Sequence, residues 1–253
     1  KNVGKIPGTN GRVAIFNPLY TNPKEPYELI YFFHGQGGSY LKHGFAPTPE
    51  KIIAALNNMS IEQKRNVIYV LMDLNIKTDQ DANESTFGDE GLSNFTDFHE
   101  KVLSWIKLKV IPKATDDKKR PNPHIWAGTS PKFISFKVYA GGYQSLTAAI
   151  TSLDTPSLNA AKIQRIDYLD ASYGITTVFD HVYNNWAENN YITPGQDFEI
   201  HAYYSNNKKH MTYDTTLKLY ENPVSSGKFN GDKERPGKSL SSLKGLYIEQ
   251  GGK

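Results

Sequence analysis

The sequence of 253 residues contains no cysteine, which excludes disulfide bonds, thiolate-zinc sites and a cysteine nucleophile. It also lacks long apolar runs: the longest, such as Val67 to Met72, are far too short to span a bilayer. Neither sign of charge dominates, since 29 Lys and Arg residues stand against 26 Asp and Glu residues. The resulting net charge of +3 indicates no concentrated basic face, so we expect no nucleic-acid partner.

An initiating methionine and a signal peptide are missing as well, since the chain begins at Lys1. This start suggests a trimmed chain or the mature form of an exported protein. The abundance of Asn, Lys and Tyr is typical of exported bacterial proteins. We therefore expect a periplasmic or extracellular location.

Strand-like runs rich in Ile, Val, Tyr and Phe alternate with helical patterns along the chain. The runs ELIYFFHG and NVIYVLMD are nearly continuous in apolar residues, which is typical of strands buried on both faces of a parallel sheet. The predicted strands are Arg12–Phe16, Glu28–Phe33, Val67–Met72, His124–Trp126, Phe133–Tyr139, Ile163–Leu169 and Phe198–Tyr204. Helical patterns occur in TPEKIIAALNNM, NFTDFHEKVLSWIKLKV, YQSLTAAITSL and TTVFDHVYNNW. The alternation predicts an α/β fold with a mostly parallel central sheet flanked by helices.

The domain organisation follows from a change in composition near residue 223. We predict a single α/β domain over residues 1–222. After it, SSGKFNGDKERPGKSLSSLKG is rich in Gly, Ser and Lys and shows little periodicity. Residues 223–253 are therefore predicted to be an irregular segment that packs on the domain or trails from it.

The stretch KVYAGGYQSL, residues 137–146, has the form of the strand-to-helix turn that carries the nucleophile of a hydrolase. Ala140 stands where the reactive serine would be. Such a turn needs small residues two positions before and after the nucleophile, because its strained backbone leaves little room. Gly142 meets this requirement and Val138 does not. The alternative is a plain bend, for which Gly-Gly is also suited.

A glycine-rich loop, HGQGG, follows the predicted strand 28–33. It predicts an oxyanion hole with backbone N–H donors from Gln36 and Gly37, and a second donor from Gly141. The alternatives are a plain turn and a phosphate loop, and the phosphate loop is less suitable because no Lys-Ser/Thr pair follows and the third glycine of a dinucleotide fingerprint is missing. His34 is expected to be structural or to line the binding site. No metal site is predicted there.

Two further residues complete a catalytic order. Asp170 ends the strand in IDYLDASYG, where an acid at the carboxyl end of a parallel strand points into the ligand crevice. His210 lies in a polar loop after the last predicted strand. The order of position 140, Asp170 and His210 is the Ser, Asp, His order of α/β-hydrolases.

Other interpretations of these residues remain open. Asp170 could instead cap the helix or turn that follows it. His201 competes with His210, but it lies inside a strand pattern and is expected to be packed. His99 lies off the apolar stripe of its helix and is expected to be solvated.

The motifs GGYQSLTAAI and IDYLDASYG resemble those of a group of bacterial α/β-hydrolase-like proteins. In that group the nucleophile turn reads His-Ser-Gly-Gly-Tyr, and a Leu-Asp-Ala-Leu-Tyr-Gly stretch follows. The resemblance covers residues 28–215 in the order of elements and is specific only within the two motifs. It implies that Ala140 replaces the serine and Tyr139 the preceding histidine. The positions that match directly are Gly141, Gly142, Tyr143, Asp170, Tyr173 and Gly174.

The resemblance implies a serine hydrolase that acts on an ester or peptide-like bond, here in an inactive form. An engineered serine-to-alanine change is the favoured explanation of Ala140, because the other motifs are intact. The main alternative is a native alanine in a non-catalytic binding protein, and a structural module is a third hypothesis. Several tyrosines near the motifs favour a polar small-molecule, glycan or cell-envelope substrate, although they could be ordinary packing residues. No cofactor is expected, and the oligomeric state is not predicted.

Overall fold

The structure is a computed structural model of the chain. It describes residues 2–5, 12–16, 26–34, 66–73, 95–106, 131–153, 163–171, 175–187, 189–192, 198–204, 241–243 and 246–250. The predicted strand 124–126 and the predicted helix within residues 48–59 lie outside these ranges. The division of the chain at residue 222 stays a prediction.

A sheet of nine strands forms the centre of the described part of the chain, in the order β1-β2-β4-β3-β5-β6-β7-β9-β8. The strands β3 to β7 and β9 run parallel, while β1, β2 and β8 pair antiparallel with their neighbours. Their bounds are β1 Asn2–Lys5, β2 Arg12–Phe16, β3 Glu28–Phe33, β4 Val67–Asp73, β5 Phe133–Tyr139, β6 Ile163–Leu169, β7 Glu199–Tyr204, β8 Ser241–Leu243 and β9 Leu246–Gln250. The predicted α/β fold with a mostly parallel sheet is confirmed.

Three helices are described: two fall within predicted helical patterns, and the third begins one residue before its pattern, which starts at Thr176. They are α1 Phe95–Trp105, α2 Tyr143–Thr151 and α3 Ile175–His181, the last continued by a π-helical stretch, Val182–Ala187. The Phe95 N–H donates to Ser152 Oγ at 3.3 Å, which places the end of α2 beside the start of α1. Among the described helices, none combines the length and the hydropathy that a membrane-spanning segment requires.

The sheet has two unlike faces, because successive strand residues point to opposite sides. One side, which we call the aromatic face, joins α1, α2 and α3 in a single hydrophobic core. Its residues on β3 to β7 are Leu29, Tyr31, Phe33, Ile68, Val70, Met72, Ile134, Phe136, Val138, Ile163, Ile166, Tyr168, Ile200 and Ala202. The other side, which we call the polar face, carries the polar residues Glu28, Ser135, Lys137, Arg165, Asp167, Glu199, His201 and Tyr203.

Aromatic rings connect α1 to the aromatic face. The ring of Tyr31 stacks on that of Phe136 with centroids 5.6 Å apart, and Phe95 meets Tyr31 edge-on at 5.0 Å. Such pairs add to the gain from burying their apolar area. These rings thus hold α1 against β3 and β5, the strand that leads into the nucleophile-like turn.

Two expectations from the sequence were wrong in detail. His99 is buried rather than solvated, because the hydroxyl of Tyr31 lies 2.7 Å from its Nδ1 and supplies a hydrogen bond across the core. The C-terminal segment is not wholly irregular, since it contributes β8 and β9. β9 pairs in parallel with β7 and so extends the sheet, which provides the backbone partners that a short strand needs.

Candidate active site

The nucleophile-like turn forms at the carboxyl end of β5. Tyr139 is still extended, with φ −121° and ψ 133°, and Ala140 then takes a positive φ of 44°. A 3₁₀ turn over Ala140–Gly142 follows, and the Tyr143 N–H donates to the Ala140 carbonyl as α2 begins. A positive φ costs an L-residue about 1–2 kcal/mol, and such strain is found where a side chain must be presented in one direction.

Gly142 is required for space rather than for its backbone angles. Its φ of −65° is ordinary, but a Cβ atom there would lie 2.5 Å from the His34 carbonyl oxygen and 2.9 Å from that of Phe33. The turn after β5 is thus pressed against the end of β3. This contact explains why the second small position of the motif holds glycine.

Val138 departs from the expected small residue without disturbing the turn. It is fully buried on the aromatic face, between its register partners Phe33 on β3 and Tyr168 on β6. The departure therefore belongs to the packing of the strand.

Asp170 follows β6 in a similar way. Its φ is 51°, a conformation that Asp tolerates better than most residues, and its N–H donates to the Tyr203 carbonyl at 2.8 Å. The side chain is half-buried.

The sheet brings Ala140 and Asp170 side by side. Tyr139 is the register partner of Leu169, so the next residue of each strand is the one with positive φ. Neighbouring strands lie about 4.8 Å apart. The predicted nucleophile position and the predicted acid therefore leave the sheet at the same level on adjacent strands.

The remaining predicted site residues are partly described. His34 follows β3 and is fully buried, with its carbonyl against Gly142. Gln36, Gly37, Tyr173 and His210 lie outside the described residues. The predicted oxyanion donors of the HGQGG loop and the predicted histidine of the triad thus stay predictions.

The two tyrosines of the turn differ in exposure. Tyr139, directly before Ala140, is 46% exposed, which is unusual for a large aromatic residue at the end of a central strand. Tyr143 is half-buried and its hydroxyl accepts a hydrogen bond from Gln144 Nε2 at 3.0 Å. An open aromatic surface thus lies next to position 140.

A charged cluster beneath the two turns was not found from the sequence. On the polar face, Lys137 Nζ lies 2.5 Å from Oδ2 of Asp167, and Arg165 Nε lies 2.6 Å from Oδ1. Arg165 Nη2 also donates to the Tyr203 hydroxyl at 2.9 Å. The available signal was that Lys137, Arg165 and Asp167 lie within predicted strands whose other residues are mostly apolar.

The cluster keeps its charges in the folded state. Burial raises the pKa of Asp167, but the adjacent Lys137 and Arg165 outweigh burial, so that the pKa is lowered overall. Burial likewise lowers the pKa of Arg165, and the carboxylate of Asp167 reverses this effect, so that the pKa is raised. Both shifts favour the ionised pair.

The described residues contain no group of three or more His, Asp or Glu side chains that could hold a metal ion. The arrangement that they do contain is a strained turn, an adjacent acid and a close backbone approach from β3.

Comparison with known proteins identifies the fold. No family model and no curated protein matches the sequence. Among solved structures, the chain is similar to a serine-to-alanine mutant of the feruloyl esterase module from Clostridium thermocellum complexed with sinapinate. The TM-score is 0.50 at 14% identity, over 96% of this chain and 76% of that one. It is also similar to acetyl xylan esterase from Aspergillus awamori, with a TM-score of 0.50 at 8% identity, over 100% of this chain and 93% of that one. The chain has an α/β-hydrolase-like fold.

Proposed function

We propose that this chain, with serine at position 140, is an esterase, and that the chain with Ala140 is its inactive form. The observation that carries the proposal is the geometry of position 140. The residue stands at φ 44° on the turn between β5 and α2, beside the turn that holds Asp170. Nucleophile turns of α/β-hydrolases need this strained strand-to-helix geometry to expose the side chain.

The proposed mechanism is acyl transfer through a covalent intermediate. The serine Oγ attacks the ester carbonyl carbon, and His210 takes the hydroxyl proton. Asp170 holds the imidazole in the correct tautomer, and backbone N–H groups of Gly141 and the Gln36–Gly37 loop stabilise the oxyanion. The alcohol leaves with the proton from His210, and water then hydrolyses the acyl-enzyme by the same steps.

The similar structures favour ester cleavage over amide cleavage. Both are esterases, one described as a feruloyl esterase and the other as an acetyl xylan esterase. The exposed ring of Tyr139 beside position 140 offers a surface on which a sugar or an aromatic acyl group can pack. An ester-decorated glycan is the substrate class that we propose, and an exported location is part of the proposal.

The Ala140→Ser variant tests the function. We expect it to be labelled by a fluorophosphonate probe and to hydrolyse p-nitrophenyl acetate about 10⁶-fold faster than the Ala140 chain, because a triad acts as a unit with its nucleophile. The Ala140 chain is the matched control, since it keeps every other serine. Labelling and initial rates at neutral pH are the measurements.

Second changes in the Ala140→Ser background assign the partners. Asp170→Asn should lower kcat by about 10⁴-fold, because the histidine tautomer is no longer fixed. His210→Gln should lower it by a similar factor. A folded Ala140→Ser protein that neither reacts with the probe nor cleaves the ester would refute the proposal and favour a non-catalytic binding protein.

A further inference from the structure

The charged cluster on the polar face is aligned with the two turns of the candidate site. Lys137 and Asp167 are register partners, and each stands three residues before a residue with positive φ, Ala140 on β5 and Asp170 on β6. The contact between these two side chains therefore lies directly beneath the two turns. A shift of β5 along β6 would therefore change this contact and the relative position of the two turns at the same time.

This alignment depends on an irregularity in the pairing of β5 with β6. The register of β5 and β6 shifts between Ile134 and Ser135, so that Gln164 is passed over and Ser135 pairs with Arg165. Without the shift, Lys137 would pair with Ile166 on the wrong face, and Ala140 would lie level with Leu169. A shift of one residue exchanges the faces of a whole strand. The shifted register is what places Asp170 beside Ala140.

The chemistry of the cluster favours the shifted register. The side chain of Asp167 is only 2% exposed, and its two carboxylate oxygens each contact one cation. Losing either contact would leave one oxygen of a buried carboxylate without its cation, which is costly. The cluster therefore opposes any sliding of β6 that separates Asp167 from Lys137.

The same cluster extends to β7. Arg165 donates to the hydroxyl of Tyr203, and the main-chain carbonyl of Tyr203 accepts the N–H of Asp170. Tyr203 thus contacts the cluster through its side chain. Through its main-chain carbonyl it also binds the turn that holds Asp170, which we call the acid turn.

We infer that Lys137, Asp167 and Arg165 form a positioning cluster that fixes the relative height of the nucleophile turn and the acid turn. This inference rests on the proposed hydrolase function, because it concerns the alignment of residue 140 with Asp170. The three residues act through the backbone and do not touch the reacting atoms.

The first test is kinetic and uses the Ala140→Ser background. Lys137→Met keeps the apolar stem and removes the charge. We expect kcat to fall by about tenfold to a hundredfold with KM within about twofold, since a displacement near 1 Å between reacting groups has effects of this order. Lys137→Arg keeps the charge and should restore kcat to within about threefold of the parent.

The matched control is Lys101→Met. Lys101 contacts Asp97 at the same 2.5 Å, but on the outer side of α1, where the two side chains are 33% and 53% exposed. We expect no change in kcat for this variant. Rates are measured well below the melting temperature of each protein, so that lost stability alone does not lower kcat. If Lys137→Met melts earlier but keeps its kcat, the cluster is structural and the inference is wrong.

The second test does not depend on activity. Crystal structures of the Ala140 chain and of its Lys137→Met and Lys101→Met variants give the distance between the Cα atoms of Ala140 and Asp170. We expect this distance to change by about 1 Å in Lys137→Met and to stay constant in Lys101→Met. An unchanged distance in Lys137→Met would refute the positioning role. A changed distance together with an inactive Ala140→Ser protein would refute the esterase proposal and leave the positioning role standing.

Discussion

The two faces of the central sheet are built from alternate residues of the same strands, yet they are held together by different physical means. The aromatic face contacts α1 through stacked and edge-on rings, such as Tyr31 with Phe136 and Phe95. The polar face joins β5, β6 and β7 through charged side chains centred on Asp167. Apolar contact is non-directional and stabilises a packed state, whereas ion pairs with fixed partners specify which residues stand opposite each other.

The two faces therefore contribute differently to the stability of the fold and to the alignment of its strands. Rings on the aromatic face can shift slightly and remain in contact with their neighbours. Lys137 and Arg165 reach the oxygens of Asp167 in one register of β5 and β6. We therefore expect changes on the aromatic face to lower the free energy of unfolding most, and changes on the polar face to be sensitive to pH.

The largest expected loss of stability is that of Phe136→Ala. Phe136 is fully buried between Tyr31, Phe33 and Phe95. Removing its ring should lower the free energy of unfolding by about 3–5 kcal/mol, because transfer and cavity terms add. Urea unfolding followed by circular dichroism measures the change.

Phe133→Ala is the matched control for this prediction. Phe133 begins the same strand on the polar face and is half-buried. Its removal should cost about 1–2 kcal/mol. Equal losses for the two variants would show that the faces do not differ in the way we describe.

The next effect is that of Asp167→Asn, which we expect to destabilise the protein by about 3 kcal/mol at neutral pH by leaving Lys137 and Arg165 without their carboxylate. The pKa of Asp167 is lowered in the folded state from 3.8, so its contribution is fully present above that value. The contribution is lost as the pH falls through the lowered folded pKa. Urea unfolding at a series of pH values from 7 to 3 measures it.

The two proteins should therefore differ by a constant amount from pH 7 to about pH 4 and converge below it. Since asparagine does not titrate, the stability of the Asp167→Asn variant is the reference with which the parent chain is compared at each pH. A difference that is independent of pH down to the lowest value measured would contradict an ionised Asp167 paired with these cations.

Much of the fold could be predicted from short apolar runs. The bounds of β3, β5 and β6 match their predictions at both ends, because Ile, Val, Tyr and Phe are dense in these runs and polar or turn-forming residues flank them. The position of the strained turn could likewise be predicted from one local stretch, residues 137–146. These features are local, so the sequence around them carries the information.

Features that depend on distant partners could not be predicted. β9 forms because the edge of β7 is open to pairing, and nothing in LYIEQ reveals that partner. His99 is buried because Tyr31 supplies a hydroxyl from another strand. The alignment of Lys137 with Asp167 needs both the strand order and the register shift after Ile134. Each depends on three-dimensional neighbours far apart in sequence.

The smallest predicted effect concerns the hydroxyl groups of the aromatic face. Tyr31 and Tyr168 are both fully buried there, and burial raises the pKa of each phenol, so both remain neutral. The hydroxyl of Tyr31 contacts His99 Nδ1 at 2.7 Å, while that of Tyr168 has no hydrogen-bond partner among the described residues. The same substitution by phenylalanine therefore removes a hydrogen bond at one site and an unpaired polar group at the other.

Tyr31→Phe should lower the free energy of unfolding by about 1–2 kcal/mol, since His99 loses this buried partner. Tyr168→Phe should leave it unchanged within about 0.5 kcal/mol or raise it, because the folded protein no longer buries an unpaired hydroxyl. Urea unfolding of both variants beside the parent chain gives the comparison. A larger loss of unfolding free energy in Tyr168→Phe than in Tyr31→Phe would show that the Tyr168 hydroxyl makes a stabilising polar contact. It would contradict our division of the sheet into an aromatic and a polar face.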